Sequence, residues 1–113
     1  MSLPNSIQHL IQQIDHNLNQ TEQRAYQGIN LVRPLLEQFP ENFILMRHFA
    51  YFNNVVLFIG IAQNKTRSIV DICTQENLTR EEIQEIGEDL GELLGRILDA
   101  KISIENIIKI LEI

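Results

Sequence analysis

Three long stripes of apolar residues, each advancing by alternate steps of three and four, constrain this chain more than anything else in it. The first stripe is Ile7, Ile11, Ile14, Leu18, Thr21, Ala25, Gly28, Val32, Leu35 and Phe39. Such steps keep one seam of an α-helix facing a neighbouring helix, so the pattern predicts a helix over residues 5–38. Pro34 removes a ladder hydrogen bond near its end and is expected to kink or split it there. The polar side is rich in amides, among them Gln12, Gln13, Asn17, Asn19 and Gln20.

A break follows at Phe39, Pro40, Glu41 and Asn42, and a second helix is predicted over 41–75, because proline suits a first helical turn. Leu45, Phe49, Phe52, Val56 and Ile59 carry its stripe, which Val70 and Cys73 rejoin after Gln63 and Thr66. Between Phe43 and Ala62 the other faces are apolar too, with Ile44, Met46, Val55, Leu57, Phe58 and Ile61. A helix apolar all round is expected to be buried all round. The second break is Glu76, Asn77 and Leu78, and Thr79 with Glu82 then reads as a capping box.

The third helix, predicted over 80–112, carries Ile83, Ile86, Leu90, Leu93, Ile97, Ala100, Ile104, Ile107 and Leu111. Two short connections make consecutive helices antiparallel. The expected fold is therefore all-α: one domain over 1–113, an up-down-up bundle of three long antiparallel helices about 50 Å long.

Composition narrows the function. At 113 residues, 44% hydrophobic and 21% charged, the chain suits a single folded domain and neither disorder nor a membrane protein. Nine basic against fifteen acidic residues, a formal charge of −6, argue against direct nucleic-acid binding. The longest uninterrupted apolar run, Val55 to Ala62, has eight residues, against the roughly 20 that a membrane span requires. Met1 to Leu10 lacks the basic and apolar regions of a secretory signal, so a cytoplasmic location is expected. Phosphate-loop, dinucleotide, zinc-protease and serine-hydrolase motifs are all missing from the sequence.

The most enzyme-like feature is acidic. Glu81, Glu82, Glu85, Glu88, Asp89 and Glu92 fall within twelve residues with no basic residue between them. Glu81, Glu82 and Glu85 resemble the E-E-x-x-E start of the all-α nucleotide pyrophosphatases, which hold magnesium with such carboxylates. In that family a second acidic pair comes from another helix, whereas Asp89 and Glu92 follow on the same one. Carboxylates along a single rod do not enclose a hard cation. They do favour the positive end of a helix dipole, which accounts for them without a metal.

Other candidates are weaker. Gly87, Gly91 and Gly95, four apart, form a narrow groove on the third helix, either packed within the bundle or docking a partner helix. His9 and His16 stand two turns apart, about 10 Å, too far to share a metal. His48 lies beside aromatic residues as a packed or partly exposed imidazole. Cys73, the only cysteine, falls on the apolar stripe and reads as an inert buried thiol. No cofactor and no metal is expected. Asn53 and Asn54 interrupt the most apolar stretch, where either one of them faces a seam and sets register and oligomer state or both sit at a partly wet edge.

The segments Gly28-Ile-Asn-Leu-Val-Arg-Pro, Phe49-Ala-Tyr-Phe-Asn-Asn and Gly87-Glu-Asp-Leu-Gly-Glu-Leu-Leu-Gly-Arg resemble a group of short all-helical cyanobacterial proteins of unknown function. Some of these are likened to the specificity subunit of type I restriction enzymes. The resemblance implies a long helical spacer, and hence a helical accessory of a DNA-modifying complex. It implies no DNA-reading domain and no site residues.

The expected function is a non-enzymatic helical interaction or scaffold protein. The alternatives are a metal-dependent pyrophosphatase-like enzyme and the restriction-type accessory. Because the second helix lacks a continuous polar face, a homodimer is expected, giving a six-helix assembly, with a further helical protein as another possible partner. The interface candidates are Phe52, Val55, Phe58 and Ile59 on the second helix and Gly87, Gly91 and Gly95 on the third. Phe52 and Phe58, six apart, are expected to point to different sides.

Overall fold

The computed structural model describes residues 3–75 and 77–113. It contains three helices, α1 (Asn5–Gln38), α2 (Phe43–Gln75) and α3 (Arg80–Leu111), of 34, 33 and 32 residues. No strand occurs among the described residues. The bundle measures 57 × 20 × 18 Å, a rod somewhat longer than the ~50 Å of its helices because the turns project beyond their ends.

Each boundary has a local cause. α1 follows Pro4 and runs unbroken through Pro34 to Gln38. The expected split at Pro34 does not occur. Pro34 and Asn30 are both exposed, so the carbonyl that loses its partner can be satisfied by water. α2 starts at Phe43 rather than Glu41, because Asn42 provides the cap: its Oδ1 accepts from the Leu45 amide at 3.1 Å. α3 opens with the expected capping box. Thr79 Oγ1 accepts from the Glu82 amide at 3.1 Å, and Glu82 Oε1 accepts from the Thr79 amide at 3.4 Å. Of the second break, Asn77 and Leu78 are irregular as expected, and Glu76 lies outside the described residues.

α1 is the central helix. α2 and α3 each pack along it and meet one another far less. α1 and α3 run parallel, tied by polar side chains at a steady offset: Arg24 to Glu105 and Gln20 to Lys101, each 81 residues apart. The amide-rich side of α1 finds part of its purpose here. Lys101 Nζ donates to Gln20 Oε1 at 2.6 Å and to Asn17 Oδ1 at 3.2 Å.

The core is a single column. Ile7, Ile14, Leu18, Ala25, Ile29 and Val32 from α1 meet Phe52, Val55, Ile59 and Ala62 from α2, and Leu90, Leu93, Ile97, Ile104 and Ile108 from α3. The seam of α2 differs from the expected one. It passes through Val55 and Ala62 and leaves Val56 half-buried. Thr66 stays on the seam because its hydroxyl donates to the Ala62 carbonyl at 2.8 Å, which settles its polar group locally. On α3 the seam moves from Ile107 to Ile108, as expected when a straight helix drifts ~20° per heptad against a 3.5-residue repeat.

Candidate interaction surface

The inward seam of α2 fixes what its outer side presents. Residues two apart on an α-helix lie about 200° apart around its axis, so Leu57 and Ile61 point away from the buried Ile59 between them. Both are 67% exposed. The same outer row continues through Phe43, Met46, Ala50 and Asn54 on one side and Asn64, Ser68 and Ile72 on the other, all exposed. Ile44 adds to its edge at 63% exposed and Phe43 to its end at 77%. α2 is therefore apolar on both sides, with α1 covering only one. Complete burial of α2, expected from its composition, is not achieved within the chain.

A shallow cleft borders this face where α2 and α3 diverge. About 380 Å³ in volume, it is lined by Tyr51, Asn54 and Phe58 of α2 and by Arg96, Asp99 and Ser103 of α3. The Arg96 guanidinium lies 5.2 Å from the centre of the Phe58 ring, a cation–π contact that bridges the two helices. A second recess of about 400 Å³ follows along Leu57, Ile61, Lys65 and Arg96. The first cleft lies open to solvent along its length, which suits a docking surface better than an enclosed small-molecule pocket.

The interface candidates divide on this geometry. Phe52, Val55 and Ile59 are buried in the core of the chain, Val55 at the floor of the cleft, so they are not available to a partner. Phe58 is half-buried in the cleft, beneath Arg96. Phe52 and Phe58 do point to different sides, Phe52 to the core and Phe58 to the cleft with α3. Of the glycines, Gly87 is half-buried, and a side chain there would meet Ile7 Cδ1 at 3.5 Å. Gly91 and Gly95 are exposed, with nothing within 4 Å, so no neighbouring helix of this chain occupies that groove. The outer residues Met46, Leu57, Ile61 and Ile72 were not among the candidates. The signal for them was the alternative phase through Val55 and Ala62, which turns Leu57 and Ile61 outward.

The acidic residues Glu81, Glu82, Glu85, Glu88, Asp89 and Glu92 are all exposed on the first turns of α3, where Glu82 takes part in the cap. Among the described residues no three His, Cys, Asp or Glu side chains converge to hold a metal. Cys73 is buried, and desolvation pushes its thiol pKa up, the opposite of what an activated nucleophile needs.

By length and composition α2 is apolar enough to cross a membrane: an 18-residue window has a mean hydropathy of 1.4, and 17% of it is buried. The count of eight consecutive apolar residues missed this, because Arg47, Asn53 and Asn54 interrupt the run without lowering its average much. No family model, no curated protein and no solved structure matches the chain.

Proposed function

We propose that this chain is a non-enzymatic helical interaction protein whose working surface is the outer face of α2. The observation that carries the reading is the pair Leu57 and Ile61, each 67% exposed on a helix whose other side already supplies the core. Monomers rarely leave a row this rich in large apolar side chains in water without a use for it. Insertion of α2 into a bilayer is a poorer account of the same row. It would withdraw Phe52, Ile59 and Ala62 from α1 and expose the apolar seams of α1 and α3.

The test compares the native chain with Leu57→Glu/Ile61→Glu in an extract of its own cells. Association that raises the apparent mass above 13.1 kDa, and is lost in the double variant at unchanged helicity, supports the reading. A native chain that remains at its own mass overturns it. So does magnesium-dependent release of pyrophosphate from a nucleoside triphosphate that Glu85→Ala abolishes, which would make the acidic face catalytic.

A further inference from the structure

We infer that the outer face of α2 pairs with the same face of a second copy of this chain, antiparallel and centred on the level of Ile59. The inference rests on the interaction reading above and names the partner.

The outer row matches itself when reversed. Leu57 and Ile61 are equidistant from Ile59, as are Asn54 and Asn64, Ala50 and Ser68, and Met46 and Ile72. All eight are exposed. In two antiparallel α2 helices related by a two-fold axis, these positions meet in layers. Leu57 falls against the partner's Ile61, Met46 against the partner's Ile72, and the small Ala50 against the partner's Ser68. Asn54 and the partner's Asn64 place amide beside amide, so each can satisfy the other once water leaves. Two layers mix apolar with polar, Ala50 with Ser68, where both side chains are small, and the end layer, Phe43 with Gln75. A closed two-fold interface uses one patch twice, and each residue of the patch must accept its mate at the reversed position. An unrelated partner imposes no such condition on the sequence.

Charge selects the antiparallel arrangement over the parallel one, in which every layer also pairs like with like. Glu81, Glu82, Glu85, Glu88, Asp89 and Glu92 all lie near the N-terminus of α3, at the end of the rod where α2 finishes. Parallel pairing would gather both copies of this cluster at one end. Antiparallel pairing sends them to opposite ends, separated by far more than the ~8 Å screening length at physiological salt. The paired seam would run about 50 Å, the length of α2.

Orientation and existence are read together by cross-linking. In a Cys73→Ala background, Met46→Cys and Ile72→Cys are oxidised singly and after co-refolding as a mixture. Antiparallel pairing keeps like positions about 39 Å apart, so the single variants stay uncross-linked and the mixture forms a disulfide-linked heterodimer. Light scattering of the native chain at micromolar concentration is expected to give twice 13.1 kDa, and Leu57→Glu/Ile61→Glu is expected to give 13.1 kDa with unchanged helicity. Cross-links between like positions would overturn the antiparallel arrangement, and a monomeric native chain would overturn the pairing itself. If that monomer still associates in extract through Leu57 and Ile61, the interaction reading survives with another partner. If it associates in neither setting, both readings fall. Co-flotation of the native chain with phosphatidylcholine–phosphatidylglycerol vesicles, lost in Leu57→Glu/Ile61→Glu, would overturn both in favour of a membrane surface.

Discussion

The tip of the Phe52 ring fills the space where a side chain at Gly28 would begin. A Cβ at Gly28 would fall 2.5 Å from Cε1 and 2.7 Å from Cε2 of that ring, closer than nonbonded carbons can approach. Phe52 is fully buried, so the ring cannot swing out into solvent without leaving the core. Gly28→Ala gains ~1 kcal/mol of helix propensity and loses about 1–3 kcal/mol to overpacking. The loss is expected to prevail, and thermal melting followed by circular dichroism should show a lower midpoint. An unchanged midpoint would mean that α1 and α2 can separate slightly at no cost.

Thr21 sits in the same column, 1% exposed, and its hydroxyl has no partner among the described residues. Thr66, equally enclosed, satisfies its own hydroxyl on the Ala62 carbonyl. The contrast separates two substitutions of the same kind. Thr21→Val removes an unsatisfied buried group and should stabilise by about 1 kcal/mol, a rise of about 4 °C in Tm. Thr66→Val gives up a made hydrogen bond and should gain less or lose. Equal shifts would show that the Thr21 hydroxyl has found a partner after all.

Arg24 grips Glu105 with one edge of its guanidinium, Nε donating to Oε1 at 2.6 Å and Nη2 to Oε2 at 2.9 Å. That hydrogen bonding holds the Glu105 carboxyl below its ordinary pKa, against an opposing desolvation effect. A carboxylate with a depressed folded pKa adds stability above its unfolded value, near 4.3, and that stability is lost as pH falls through the folded value. Both side chains are about one third exposed (36% and 35%), so the pair is worth no more than about 1 kcal/mol. Glu105→Gln is expected to cost stability at neutral pH and little in acid. Denaturant titrations at pH values on either side of 4.3 should show the gap between native and variant closing on the acid side.

Much of this fold is legible because its signals are local and repeated. The boundaries of α1 and the Thr79–Glu82 cap follow from periodicity and capping chemistry within a few residues. The face of α2 was harder. Phe52 and Ile59 belong to both the 49-52-56-59 phase and the 52-55-59-62 phase, and in so apolar a stretch hydrophobicity cannot choose between them. Thr66 lies on both, and the positions that separate them are Val55 against Val56 and Ala62 against Gln63, of which the fold buries Val55 and Ala62. Reading Val56 as inward hid the outer row, and the candidate interface then included three core residues. Whether a glycine row is packed depends on where the neighbouring helices lie, which periodicity alone does not supply.

Gly91 and Gly95 test what covers the outer side of α3. Within one chain nothing lies within 4 Å of the position a side chain would take at either residue. Each glycine costs a helix interior about 1 kcal/mol relative to alanine, through backbone entropy lost on folding. Gly91→Ala and Gly95→Ala are therefore each expected to raise Tm by about 4 °C. Gly91→Leu, which would overpack an occupied groove, should also stabilise here, because leucine is a strong helix former and has room. Gly87→Ala should gain as well, since its new methyl meets Ile7 Cδ1 at an ordinary 3.5 Å. The paired α2 arrangement leaves Gly91 and Gly95 in water, so the gain should not depend on protein concentration. If Gly91→Leu lowers Tm, and lowers it more at high concentration, the glycine face is where chains meet.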